Sequence, residues 1–325
     1  MLVRPAAACA GGRVEVVGGA FDLTAGLPEV RLGDARARLA SARPGRLVVI
    51  VPDDAPGGDV PIVVSGRQEA APVVRLGTLV AEGLHQVDNP VFDAAGRLYV
   101  TYSGTRGQQV PVSIFRIDQS GVRESFVTGL VNPTSMTVGP DGQLYVSSRF
   151  EGVVYRVDDQ GHYEAIVSDV GVACGLAFGP DGTLFVGDRS GTIFRVLPSG
   201  QATMLATLPP SMAAFHLAMG PDGRLYVTAP TLTSRDRLYR VHMDGRVETL
   251  WVGFGRPQGL AFGPDGALYI ADAISGSSGI YRFRPDAPEE PELLVSGANL
   301  VGLAFDPTGS LVVASNESAW RIGSI

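Results

Sequence analysis

The chain of 325 residues contains no lysine; all 26 of its basic side chains are arginines. Schiff-base chemistry, a pyridoxal phosphate anchor and a phosphate-loop lysine are thereby excluded. Cysteine is nearly absent too. Cys9 and Cys174 are too few for a disulfide framework or a zinc cluster, and the organisation described below assigns them to different domains, which argues against a bridge between them. Charged residues make up 18% of the chain, against about a quarter in an average soluble protein. No apolar run approaches the roughly 18 residues of a membrane helix, so no membrane insertion is expected. Residues 1–20 lack a cationic stretch followed by a long apolar one, so no signal peptide is read there, and a cytoplasmic location is expected unless a leader was removed. The net charge of −7 has the wrong sign for holding a phosphate backbone, so nucleic acid is excluded as a partner.

What the chain has in excess is glycine (42) and proline (23), with a hydrophobic fraction of 45%. That combination describes short apolar strands separated by tight turns, with ample material for a core. The turns repeat. Gly139-Pro140-Asp141-Gly142 recurs at Gly179–Gly182, Gly220–Gly223 and Gly263–Gly266, with variants at Asp93–Gly96 and Asp306–Gly309, at intervals of 40 to 46 residues. Proline presets φ at the second turn position and glycine accepts the positive φ of the last, so each copy joins two antiparallel strands. The repeated aspartates are assigned to the turns and not to chemistry.

An apolar strand precedes each turn and a Leu-Tyr-Val-like strand follows it; a third and a more variable fourth strand complete each period. Four short strands in about 40 residues describe a β-propeller blade. Six first, second and third strands are present, but only five fourth strands follow them. The run at 73–80 reads like the missing one. The expectation is an all-β chain whose six-bladed propeller, 73–325, is closed by the strand at 73–80 pairing with 318–322. Residues 1–66 lack the repeat and show alternating runs typical of a small β-sandwich, with 67–72 as linker.

Topology puts the turns on one face of the disc and the mouth of the central channel on the other. Aligning the repeats places Asp88, Thr134, Cys174, Phe215, Gln258 and Val301 around the mouth, with Asn89 and His216 one residue on. Tyr102, Asp188 and Asp272 follow second strands, and Arg149 lies beside them. Asp88, Asn89, Arg149, Asp188 and His216 gather on one side. An imidazole near carboxylates suits a general base, and Asp88 suits either a hard-cation ligand or a structural acid taking backbone N–H bonds. The bland alternatives are a surface pair for Asp188 with Arg189, a solvated Arg149 and a channel-filling His216. Cys174 reads as a packing residue, and His85, His162 and His242 as solvated. No His-x-x-His spacing exists for a catalytic zinc.

The repeated Gly-Leu-Ala-Phe-Gly-Pro-Asp-Gly-x-Leu-Tyr-Val units, clearest at 175–186 and 259–270, resemble NHL-repeat and senescence-marker-protein/gluconolactonase propellers. Residues 1–66 resemble an immunoglobulin-like TIG/IPT module through Gly11–Gly18, Val30–Gly33 and Gly57–Pro61. The resemblance implies lactone hydrolysis with a divalent cation (calcium, manganese, magnesium or zinc) at the mouth. Asp88-Asn89-Pro90-Val91-Phe92 is similar to the family's Glu-Gly-Pro-x-Trp motif, which implies a ligand role for Asp88. The family's later Asn-Gly and Asp-Gly positions are here Cys174-Gly175, Phe215-His216 and Gln258-Gly259. Streptogramin-lyase-like propellers also use a mouth histidine. Two functions are therefore weighed. One is a recognition protein that takes a protein, carbohydrate or small-molecule ligand through the mouth (Asn89, Tyr102, Thr134, Arg149, Gln258, Asp272) or a disc face. The other is a metal-dependent hydrolase or lyase with Asp88 as ligand and His216 or Asp188 as base.

Overall fold

The turns set the structural unit. In the second repeat the Gly139 and Gln143 backbones close the hairpin at 2.9 Å, and Gly142 takes φ +77°. Asp141 accepts from the Gln143 N–H at 3.1 Å and from the Tyr145 hydroxyl at 3.0 Å. The pairing of aspartate with tyrosine recurs at Asp222 and Tyr226, again at 3.0 Å. These carboxylates lock hairpins, as aspartate's turn preference dictates.

The computed structural model describes every residue except 19, 25, 68, 69, 198, 275 and 276; two positions of the expected linker, 68 and 69, thus lie outside the described residues. Four repeats form antiparallel four-stranded sheets in simple sequence order. The first runs Val91–Phe92, Leu98–Thr101, Ile114–Ile117, Arg123–Val127, and the second Pro133–Val138 to Tyr163–Val167. The third runs Ala173–Phe178 to Ala202–Thr207 and the fourth His216–Met219 to Val247–Phe254. A further sheet joins Leu300–Phe305, Leu311–Ser315 and Ser318–Gly323 to a strand from before the first repeat, Thr78–Glu82. Second strands such as Leu184–Asp188 and Leu268–Asp272 are buried throughout, because sheets stack on both of their faces. Each repeat shares an apolar core with the next: Met136 with Val127 and Ile114, Leu260 with Tyr226, Leu303 with Tyr269. Val312 and Ala314 then pack on Leu98 and Val100, so the last set meets the first and the ring closes.

Six discrete blades were expected, and five free-standing four-stranded sheets are found. The strands of the fifth repeat, Pro257–Phe262 to Glu292–Ser296, form one end of a twelve-stranded sheet. The N-terminal strands form the rest of that sheet. They are β1 (Leu2–Arg4), β2 (Ala7–Ala8), β3 (Arg13–Val17), β4 (Val30–Leu32), β5 (Ala35–Arg43), β6 (Arg46–Ile50), β7 (Gly58–Val64) and β8 (Val73–Leu76). β2 runs parallel between Val295–Ser296 on one side and Arg75–Leu76 on the other, covering an outer edge that would otherwise present free N–H and C=O groups. The region expected as a separate sandwich is therefore hydrogen-bonded into the repeat array. Its ribbon turns back on itself along β5, which pairs with β4 through Ala35–Ala37 and with β6 from Arg38 onward. One core results, shared by Val16 and Leu47 of one half and Leu32, Ile62 and Val74 of the other.

The closing strand also needs correction. The run at 73–80 does not pair as one piece with the C-terminus. Val73–Leu76 pairs with β7, and only Thr78–Glu82, as β9, pairs with Ser318–Arg321. Gly77 is the crossing point. A Cβ there would lie 2.8 Å from Trp320 Cβ and 3.1 Å from Cys9 Sγ. Gly77→Ala is expected to lower stability by about 1–3 kcal/mol through overpacking. Gly45→Ala, whose Cβ would meet nothing within 4 Å, is expected to cost little by comparison. Urea unfolding of both variants checks this, and equal midpoints would contradict the crossing-point reading.

Candidate functional site at the channel mouth

First strands run from the mouth toward the turn face, so the residues at their start ring the axis. There the backbones approach closely. A Cβ at Gly259 would lie 2.0 Å from Asn89 Oδ1, and one at Gly302 would lie 2.6 Å from Asn89 Cα. Asn89 uses that space to reach the two preceding repeats of the ring: its Nδ2 donates to Leu260 O at 2.9 Å, and its Oδ1 accepts from Leu303 N at 3.0 Å. With both ends of its amide bonded to backbone, Asn89 pins three repeats together.

Asp88 and His216 meet on the mouth side of that pin. His216 Nδ1 lies 2.7 Å from Asp88 Oδ1, and the Asn89 N–H donates to the same oxygen at 2.7 Å. Both side chains are buried, His216 fully. An Nδ1–H that donates to a carboxylate leaves Nε2 as the free acceptor, and this Nε2 has no hydrogen-bond partner. Among the described residues, the buried Gln86 amide and Ser103 hydroxyl also lack partners. Ser103 belongs to the 102–113 connection, which Asn132 fastens. Asn132, buried with φ +48°, donates from Nδ2 to Ser103 O (2.6 Å) and Thr105 O (2.8 Å) and accepts from Gly107 N–H (2.6 Å). Tandem glycines and polar residues signalled a loop there, but nothing in sequence linked it to Asn132.

The other carboxylates do not join this pair. Asp188 accepts from Val172 N–H at 2.8 Å and from the Ser190 hydroxyl. Asp272, at the matching position two repeats on, accepts from Gly255 N–H at 2.9 Å and Arg256 N–H at 2.6 Å. Each acid caps the loop before its own first strand, so Asp188 is no surface partner of Arg189 here. Burial raises the Asp272 carboxyl above its ordinary value, opposed by those two backbone bonds. Among the described residues, no three His, Cys, Asp or Glu side chains are grouped to hold a metal ion. The donor set does not fit a mouth cation.

The remaining positions are distributed around the ring. Thr134 Oγ1 donates back to Asn132 O at 3.0 Å. Gln258 is buried, and its carbonyl accepts from Thr228 Oγ1 at 2.5 Å, a link between repeats. Sequence reasoning missed these polar links; Ser147 Oγ likewise donates to Cys174 O at 2.6 Å, and their signal is a small hydroxyl residue late in the second strand. Arg149 is half-buried, its Nη2 3.4 Å from Gly104 O, and burial lowers its guanidinium from the usual value. His85 is half-buried rather than solvated, edge-on to Tyr102 at 5.9 Å. Desolvation and then the Arg149 charge lower its pKa. Toward the turn face the channel widens into a cavity of about 390 Å³ lined by Asn89, Thr137 and otherwise apolar side chains such as Phe92, Leu176, Met219 and Phe262.

Residues 152–323 match the family model described as the SMP-30/Gluconolactonase/LRE-like region. In fold, the chain is similar to a protein provisionally described as a gluconolactonase (TM-score 0.61, 19% identity, covering 76% of this chain and 91% of that one). It is similar as well to an auxiliary nutrient binding protein from Bacteroides thetaiotaomicron VPI-5482 (TM-score 0.58, 14% identity, 98% of this chain and 96% of that one). A third likeness is to the catalytically inactive histidine-to-alanine form of virginiamycin B lyase from Staphylococcus aureus, solved with quinupristin (TM-score 0.55, 15% identity, 96% and 100%). No curated protein matches the chain.

Cys174 illustrates how closed the mouth is. Burial pushes its thiol up to about 12, whereas a free thiol titrates near 8.5. Ellman's reagent at mildly alkaline pH should therefore label neither Cys174 nor the equally buried Cys9 in the native protein, and both after denaturation. Rapid native labelling of a Cys9→Ser variant would contradict the burial of Cys174.

Proposed function

The chain belongs to the SMP-30/gluconolactonase/LRE-like family, and from that premise we propose that it is a recognition protein, not a metal-dependent lactonase. Its ligand is a protein, a carbohydrate or another small molecule, taken at the mouth or on a disc face. The observation that carries this reading is the separate engagement of the three mouth carboxylates. Asp88 serves His216 and Asn89, Asp188 serves Val172 and Ser190, and Asp272 serves Gly255 and Arg256. Metal-assisted hydrolysis at the mouth would need such side chains converging on one cation. In this reading the fifth-repeat strands within the long sheet act as the sixth blade, and residues 1–66 act as an immunoglobulin-like TIG/IPT spacer. The likeness over 98% of the chain to an auxiliary nutrient binding protein favours binding over turnover.

One observation favours a second reading, a metal-independent hydrolase or lyase. His216 offers an unpartnered Nε2 while Asp88 orients its Nδ1, the arrangement of a general base held by a carboxylate. The inactive histidine-to-alanine lyase among its structural relatives supports a search for such chemistry. Against it stands the complete burial of His216.

Calorimetric titration with calcium, manganese, magnesium and zinc, alongside a lactone hydrolysis assay, tests the proposal. No heat above dilution and no metal-stimulated turnover are expected. Metal heat that disappears in Asp88→Ala would overturn the non-lactonase reading. Metal-free turnover lost in His216→Gln would establish the second one.

A further inference from the structure

Among the described residues, the buried side chains with an unpartnered polar atom are Gln86, Ser103, His216 and Ser278. The first three are linked through the first repeat. Asp88, two residues after Gln86, holds His216, and Ser103 N donates to His85 O, beside Gln86, at 3.0 Å. Gln86 and Ser103 have no exposed surface, so each is a donor without an acceptor, which a folded interior seldom tolerates. The residue after Ser103 brings in a third such donor. Gly104 O is the one hydrogen-bond partner of the Arg149 guanidinium among the described residues, and at 3.4 Å it is beyond the usual range of such bonds.

Half-buried arginines elsewhere are answered. Arg116 pairs with Glu124 at 2.6 Å, Arg240 with Glu248 at 2.9 Å and Arg282 with Glu292 at 2.6 Å. Arg195, half-buried without an acid, donates to Met243 O at 2.7 Å. Arg149 is half-buried too, yet among the described residues neither it nor the exposed Arg106 and Arg189 has an ion pair. Burial first, and then the Arg189 and Arg106 charges, hold the Arg149 guanidinium below its usual value, opposed by Cys174. The acids of the mouth are taken. Asp88 serves His216 and Asn89, Asp188 serves Val172 and Ser190, and Glu151 accepts from the Tyr155 hydroxyl at 3.1 Å. A partly desolvated cation crowded by like charges needs a counter-ion. The three guanidiniums come from three segments, the 102–113 connection and the residues just after Leu144–Ser148 and Leu184–Asp188. A single anionic group does not answer all three, whereas one molecule with several carboxylates does, and a carboxylate matches the planar guanidinium fork.

We propose that the mouth binds a small di- or tricarboxylate, its carboxylates on Arg149, Arg106 and Arg189, with the Ser103 hydroxyl and the Gln86 amide turning to it as further donors. The proposal rests on the recognition reading above and names the ligand class at that site. The test is calorimetric titration of the full chain with citrate in metal-free buffer at neutral pH. Butyrate, inorganic phosphate and the neutral triethyl ester of citrate serve as comparators. Citrate is expected to bind well ahead of all three, less tightly in added salt. Arg149→Gln is expected to weaken it roughly tenfold or more, Arg106→Gln with Arg189→Gln about threefold, and Ser103→Ala severalfold. The paired rim variant changes only exposed side chains, so its result stands even if Arg149→Gln misfolds. Absence of citrate binding, equal binding of butyrate, phosphate or the ester, or indifference to any of the three variants would each overturn the proposal. Metal binding or metal-dependent turnover at the mouth would overturn the recognition reading. The citrate titration is free of metal and reads the anion site alone, so the two failures are distinguishable.

Discussion

Ring closure is the constraint on which the rest of this molecule depends. A circular array of radial sheets has no stable open form in water, because the faces of the first and last sheets would both be bare. Here the last set supplies three strands from the C-terminus, and Thr78–Glu82 supplies the fourth. The chain is thereby tied at both ends of the propeller. The residues before Thr78 have to leave the ring at Gly77, where only a residue without a side chain passes between Trp320 and Cys9.

That geometry determines where the N-terminal region sits. β8 continues directly into β9, so the N-terminal ribbon is held within one residue of the last sheet and finds the fifth-repeat edge beside it. β2 then pairs in parallel with Val295–Ser296. The merged sheet follows from this: the N-terminal region covers the outer edge of the fifth-repeat strands.

At the axis, crowding decides the chemistry available. Glycines at 259 and 302 admit the Asn89 side chain between repeats, and small hydroxyl residues on second strands stitch them to the first strand of the next repeat. Acids near the axis are desolvated and require partners. Asp188 and Asp272 find theirs in backbone N–H groups of their own loops, and Asp88 finds His216 from across the channel. The result is a mouth whose polar groups mostly satisfy one another, with His216 Nε2, Gln86 and Ser103 as the exceptions.

Local chemistry explains what the sequence by itself determined. Proline and glycine at fixed turn positions, and apolar strands of alternating burial, act over four or five residues, so the repeat, its hairpins and the structural role of the turn aspartates were legible without coordinates. The spacing also brought Asp88 and His216 to the same ring, and the need for a closing strand was visible as a missing fourth strand. Which residues closed the ring was only half legible, since 73–76 and 78–82 have the same apolar character and differ only in which edges they reach. The merger of the fifth repeat with the N-terminal strands, the backbone bonds of Asn89 to two other repeats and the loop fastened by Asn132 were decided by tertiary structure alone. Hydrogen-bond partners and ion pairs among residues tens to hundreds of positions apart depend on distances of a few ångströms between backbones that meet only in the folded ring, and no local pattern encodes them.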